Sequence, residues 1–234
     1  MNEYEQDALA ELVTWKKKMA KKSGKFERMS KKAQTKVNGY IPDRVHKLIT
    51  DSIKAMIQAV LSGSKYMSKE KNVMLLSLQQ KEEWVTETVA AYRKTAIMEG
   101  AGTGAAGLLI GLADFPLLLS IKMRLLFEIS RLYGFDPNKY EERLFILHIF
   151  QMAFSSEEKR QETLKVIEEW HVGNVPEINW LEFQQEYRDY IDVIKLFQLV
   201  PGLGAAVGAY ANHQLLEQLG ETAVNCYRIR LLKG

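Results

Sequence analysis

The sequence predicts an all-α protein built as a single helical bundle. Three observations carry that expectation. Apolar residues recur at three- and four-residue steps along most of the chain, the period of one helix face. Only five prolines occur in 234 residues, and alternating β-branched runs are scarce. The composition, 47% hydrophobic and 26% charged, belongs to a chain that can bury a core rather than to a disordered one.

Each element follows from local pattern. From Tyr4, residues Ala8, Leu9, Leu12, Val13 and Met19 form an apolar stripe. Acids precede lysines along it, which suits the helix dipole. Ser23-Gly24 interrupts this helix, a second basic helix is expected over Phe26 to Val37, and Asn38-Gly39 ends it. Pro42 reads as a first-turn proline, followed by a stripe of Val45, Leu48, Ile49, Ile53, Met56, Ile57, Val60 and Leu61 that stops near Gly63. A helical segment is expected to begin around Ser68-Lys69-Glu70. Another starts near Lys81, carries Trp84, Val85, Val89, Tyr92 and Ala96, and runs toward a glycine-rich stretch. Leu117 to Tyr133 is helical, with Gly134 as its cap. Asp136-Pro137 starts the next helix, with Leu144, Leu147 and Phe150. Ser155-Ser156-Glu157-Glu158 has the form of an N-cap with acids in the first turn. Gly173 to Pro176 is a loop, Asn179 to Phe197 a helix, and Gly202 to Leu232 closes the chain.

Several chemistries lack their residues. One cysteine, Cys226, excludes an internal disulfide and a multi-cysteine zinc site, and fits a reducing compartment. Met1 to Glu11 holds four acids and no apolar segment, so no secretory signal is expected. The four histidines lie far apart, and no zinc-protease helix, nucleophile elbow or P-loop spacing occurs. His148 and Cys226 read as core fillers, and no cofactor is expected.

Charge is uneven. The net of +3 hides ten bases against one acid in residues 12–36: Lys16, Lys17, Lys18, Lys21, Lys22, Lys25, Arg28, Lys31, Lys32 and Lys36 against Glu27. That segment carries +9 and the rest of the chain −6. An amphipathic helix with clustered lysines and one Trp suits an anionic membrane surface. A solvated face is the plain alternative. Nucleic acid fits least, because Trp15 and Phe26 stand nearly alone as aromatics.

Hydrophobicity is uneven too. Gly100 to Ile121 contains one charge, Asp114, and has the ~20-residue length of a bilayer span. Its composition argues against a simple span, because Gly100, Gly102, Gly104, Gly107, Gly111, Asp114 and Pro116 all weaken insertion. A second run, Leu196 to Ala211, contains Pro201. Gly102-Thr103-Gly104-Ala105-Ala106 aligns with Gly202-Leu203-Gly204-Ala205-Ala206, one hundred residues on. Gly100 and Gly104, Gly107 and Gly111, and Gly204 and Gly208 are each four apart, the spacing that lets helix backbones approach. Two glycine-rich helices that pack together and enter a membrane interface explain this, and so does a buried pair inside a soluble bundle. The literal G-x-G-x-x-G at Gly102 to Gly107 needs a strand before it to bind a dinucleotide, and the preceding segment reads as helix. Asp114 is either an N-cap for a helix beginning near Pro116 or a carboxylate in a polar site between the glycine-rich helices, with Lys122, Arg124, Asn212 and His213 as possible partners.

Ordered blocks of residues resemble the EcsC family of bacterial proteins. They are Gly100-Ala101-Gly102-Thr103-Gly104, Ala113-Asp114-Phe115-Pro116, Arg124, Glu128, Tyr133-Gly134-Phe135-Asp136, Pro201 to Ala209, and Asn212, with Ile41-Pro42 nearer the start. The resemblance covers about residues 5–232. It implies a protein encoded beside the ATPase and membrane subunits of an ABC transporter linked to secretion, processing and competence. It implies no catalytic residue. The chain is thus expected to comprise a basic N-terminal part, residues 1–38, and an EcsC-like helical domain, residues 39–234. The expected role is that of a non-enzymatic accessory, cytoplasmic and peripheral on the inner membrane face, with the transporter ATPase or membrane subunit as partner. Its lipid-facing residues would be Lys16, Lys17, Lys18, Lys21, Lys22, Lys25, Arg28, Lys31 and Lys32, and its packing residues Gly100, Gly102, Gly104, Gly107, Gly111, Gly202, Gly204 and Gly208 with Asp114, Pro116, Pro201 and Asn212. A hydrolase or lipid-modifying enzyme built on Asp114, Asn212 and His213, and a soluble scaffold for the ATPase, are the alternatives.

Overall fold

Short polar signals start and stop the helices seen in the computed structural model, which describes residues 1–20, 43–63, 72–104, 115–171, 177–198 and 204–232. Among these residues there are eight helices and no strand: α1 (Glu3–Ala20), α2 (Asp43–Ser62), α3 (Leu78–Gly104), α4 (Phe115–Leu132), α5 (Tyr140–Ala153), α6 (Glu157–Glu168), α7 (Trp180–Gln198) and α8 (Gly204–Leu231). The fold is all-α, as the periodicity predicts. The expected basic helix over Phe26 to Val37, Pro42 and the 173–176 loop lie outside the described residues.

Two helix starts differ from expectation for local reasons. The expected helical start at Ser68-Lys69-Glu70 lies outside the described residues, and residues 72–77 ahead of α3 form a turn, with Leu76 N–H donating to the Val73 carbonyl at 3.2 Å. Helix α3 then begins at Leu78, before Lys81, because Ser77 and Gln80 make a reciprocal capping box. Gln80 N–H donates to Ser77 Oγ at 3.2 Å, and Ser77 N–H donates to Gln80 Oε1 at 2.9 Å. Helix α5 begins at Tyr140 rather than at Asp136-Pro137, because Asp136 Oδ1 accepts from Asn138 N–H at 2.9 Å and holds a turn there. Other signals act where expected. Ser156 Oγ accepts from Lys159 N–H at the start of α6. Gly63 and Gly134 take φ of +75° and +91° just after α2 and α4, a conformation that a Cβ disfavours.

Helices α4 and α5 are apolar nearly all round and form the centre. Phe127, Phe145, Phe150 and Ile149 are fully buried there. Helix α1 packs on the outside through Ala8, Leu12 and Trp15, while Val13 stays 43% exposed. His148 and Cys226 are buried as expected; His148 stands edge-on to Trp170, and Cys226 faces Met152.

The most extensive helix pair is α3 with α8. They run antiparallel: Arg228 meets Glu82, Gly220 lies against Val89, and Glu217 and His213 meet Arg93. At the closest approach a Cβ on Gly220 would sit 2.9 Å from Val89 Cγ2 and 3.1 Å from Cγ1. Valine is stiff at χ1 in a helix and cannot swing aside. Gly220→Val is therefore expected to lower stability by about 2–3 kcal/mol through overpacking. Gly220→Ala should lose less, since alanine regains about 1 kcal/mol of helix propensity. Urea denaturation checks this, and adding Val89→Ala to Gly220→Ala should restore the loss.

Candidate functional site

The register of α3 against α8 brings the two glycine blocks to one pole. Continued to the helix ends, it sets Gly104, the last residue of α3, level with the first turns of α8 at Gly204 and Gly208. Helix α4 starts at the same pole, since Ala96 of α3, Leu118, Ile121 and Lys122 of α4, and Leu216 of α8 line one small pocket. Gly100, Gly102 and Gly104 thus close α3, while Gly204, Gly208 and Asn212 lie in α8. The 22-residue apolar run is divided between α3 and α4, and no described helix is long and apolar enough to cross a membrane. The G-x-G-x-x-G begins inside a helix, so the strand that a dinucleotide fingerprint needs is missing. Pro116 occupies the first turn of α4. Gly107, Gly111, Asp114, Pro201 and Gly202, and the side chain of Asn212, lie outside the described residues.

Lys122 is the chemically unusual residue of this pole. It is 5% exposed, and no described carboxylate pairs with it. Its Nζ donates to Tyr187 Oη at 3.0 Å and stands 4.5 Å from the centre of the Phe154 ring. A phenol oxygen and two aromatic faces replace water only in part. Burial alone pushes its ammonium down to about 7. Sequence reading names Lys122 only as a possible partner for Asp114. The overlooked signal is a lysine set directly between Ile121 and Met123, on the stretch of α4 where Leu119, Ile121, Met123 and Leu125 are all buried.

Polar groups flank the pole on the α3 face. Tyr92 Oη donates to Glu128 at 3.1 Å, and burial with that carboxylate pushes the phenol up to about 12. Arg93 donates to His213 Nε2 and lies 3.8 Å from Glu217, whose other oxygen is 3.7 Å from His213 Nδ1. The Arg93 guanidinium thus occupies Nε2 of His213, while Nδ1 faces Glu217. No group of three His, Cys, Asp or Glu among the described residues could hold a metal ion.

At the opposite pole a buried charge network joins five helices. Arg228 grips Glu82 through two bonds, Nε to Oε1 at 2.8 Å and Nη2 to Oε2 at 2.7 Å. Glu82 also accepts from Tyr4 Oη at 2.6 Å and Tyr133 Oη at 3.1 Å. Arg230 donates to Glu142 at 2.7 Å, and Glu142 accepts from Ser130 and Tyr227 as well. Two helix positions apart, Arg228 and Arg230 point to different sides, so each serves a separate carboxylate. The stacked rings of Tyr133 and Tyr227, 4.9 Å apart, link the two clusters.

A model of the EcsC protein family matches residues 6–232, nearly the whole of this bundle. The chain belongs to the EcsC family. It is 50% identical over 225 residues to Protein EcsC of Bacillus subtilis (strain 168), covering 96% of this chain and 95% of that one. It is 26% identical over 247 residues to the uncharacterized protein YdbA of the same organism, covering 95% and 90%. No solved structure matches it. For this EcsC family chain, the matched stretch takes in both poles and all but the first residues of α1.

Of the arm residues named from the sequence, Lys16, Lys17 and Lys18 close α1. Lys16 pairs with Glu168 of α6, and Lys18 lies 3.6 Å from Glu221 of α8. Lys17 is exposed. Lys21, Lys22, Lys25, Arg28, Lys31, Lys32 and Lys36 lie outside the described residues.

Proposed function

We propose that this protein is a non-enzymatic helical accessory of an ABC transporter, held on the inner face of the cell membrane by its basic arm. The observation that carries this reading is the charge split: +9 within residues 12–36 against −6 in the rest of the chain. An anionic leaflet attracts each nearby Lys or Arg by about 1 kcal/mol, and the attraction fades within a Debye length. Ten such residues suffice for reversible attachment while the acidic remainder is repelled. The family supports the transporter association, through the neighbouring ATPase and membrane subunits that the resemblance implies. The glycine-rich ends of α3 and α8 offer close backbone packing to a partner helix.

Flotation with vesicles tests the attachment. Binding is expected on phosphatidylglycerol-containing vesicles and not on pure phosphatidylcholine, with release as salt rises from 0.1 to 0.5 M. In cell fractionation, a salt wash should release the protein from membranes. Retention through alkaline carbonate would mean insertion and defeat the peripheral reading. Equal indifference to both vesicle types would defeat membrane attachment altogether.

A further inference from the structure

We infer that the apolar face of α1, now buried against the bundle, is itself a lipid-binding surface that the anionic membrane draws out of its seat. The inference rests on the membrane reading above and says which residues would enter the bilayer.

Three observations carry it. First, the seat of α1 is narrow: among its 18 residues, Ala8, Leu12 and Trp15 are buried. Moving those three side chains from a protein groove into acyl chains keeps them out of water, so the apolar cost of release is confined to the groove they uncover on the bundle. Second, beyond those three and the partly buried Tyr4, Leu9 and Met19, the ties are polar, and apart from Tyr4 Oη on buried Glu82 they lie at the surface. Glu11 accepts from Arg228 Nη1 at 2.8 Å but is 68% exposed, and Lys16 and Lys18 pair with partly exposed Glu168 and Glu221. Exposed pairs of this kind hold weakly and weaken further with salt. An anionic surface competes for the same lysines, and each base gains about a fivefold preference there. Third, departure strands no charge. Arg228 and Glu82 keep both of their mutual bonds, and Glu82 keeps Tyr133, when Glu11 and Tyr4 leave. The socket is electrostatically complete without α1, unlike a buried pair that loses a member. Trp15, beside the lysine cluster, is the residue suited to the bilayer interface.

Quenching by brominated acyl chains reads this directly. The full-length protein is mixed with phosphatidylglycerol vesicles carrying brominated or ordinary chains, alongside Trp15→Phe. The emission that Trp15→Phe lacks is expected to be largely lost on brominated vesicles. Flotation without quenching of that component would overturn the inference and leave the membrane reading standing. Failure to float on anionic vesicles would remove both. A pair of variants of equal charge change gives a second readout. Glu11→Gln removes the charge from the tie to Arg228 and weakens it, whereas Glu3→Gln changes charge at an exposed site. Glu11→Gln should raise vesicle partition several-fold more than Glu3→Gln, and an equal effect would count against a seat that opens.

Discussion

Replacing Lys122 by methionine is expected to stabilise the fold at neutral pH and to abolish a pH dependence that the natural chain shows. Methionine has nearly the length and volume of the lysine and needs no solvation. Burial lowers the ammonium from its ordinary 10.5 to about 7 in the folded chain. Between those values the unfolded chain holds a proton that the folded chain lacks, so stability rises with pH. The natural protein is therefore weakest below about pH 7, where the folded state carries a buried charge, and gains up to about 1.4 kcal/mol per pH unit above it. The whole effect reaches at most about 5 kcal/mol. Lys122→Met should be more stable below pH 7 by an amount of that order, with the difference shrinking as pH rises. Urea midpoints from pH 6 to about 9.5 check this. The range stops there because buried Tyr133, Tyr187 and Tyr227 have phenols held well above their usual value. Their ionisation in the unfolded chain alone lowers stability at higher pH. A slope identical in the two proteins would show that Lys122 does not carry the charge penalty.

Glu82→Leu should be the most damaging single substitution in the polar network. It leaves Arg228, 7% exposed, without its bidentate partner, and removes the acceptor of both the Tyr4 and Tyr133 hydroxyls. Breaking a buried pair from one side costs about 3–5 kcal/mol. Glu82→Leu with Arg228→Met removes both charges and should recover much of that loss, because the pair's attraction is spent largely on its own desolvation. Chemical denaturation of the three proteins tests the contrast. Additive losses would mean that each residue stabilises the fold independently of the other.

Much of the fold could be read in advance, and the gaps have definite causes. Helix stripes such as Ile49, Ile53, Met56 and Val60 appear in both sequence and core, because periodicity records which face is apolar. Caps at Gly134 and Ser156 were legible for the same local reason. The start of α3 lies ahead of its apolar stripe, at the Ser77-x-x-Gln80 capping box, because hydrogen bonds to the first turn and not periodicity fix where a helix begins. The glycine repeat was legible as two blocks, but not Gly220, a lone glycine whose importance lies in a valine 131 positions away. Lys122, Glu82 and Arg228 were likewise present as charges without a known setting.

The amino-acid order alone was enough for the helical class, the basic arm, the paired glycine blocks and the family. These depend on near neighbours, on composition or on ordered motifs. The tertiary structure decided which charges are buried and whom they meet. Glu82 and Arg228 are 146 positions apart, and no local pattern encodes that contact. It follows from the antiparallel register of α3 and α8, which the close approach at Gly220 and Val89 holds. The same packing encloses Lys122 and seats α1 on a socket whose charges are already satisfied, because the cost of a buried charge depends on its three-dimensional neighbours.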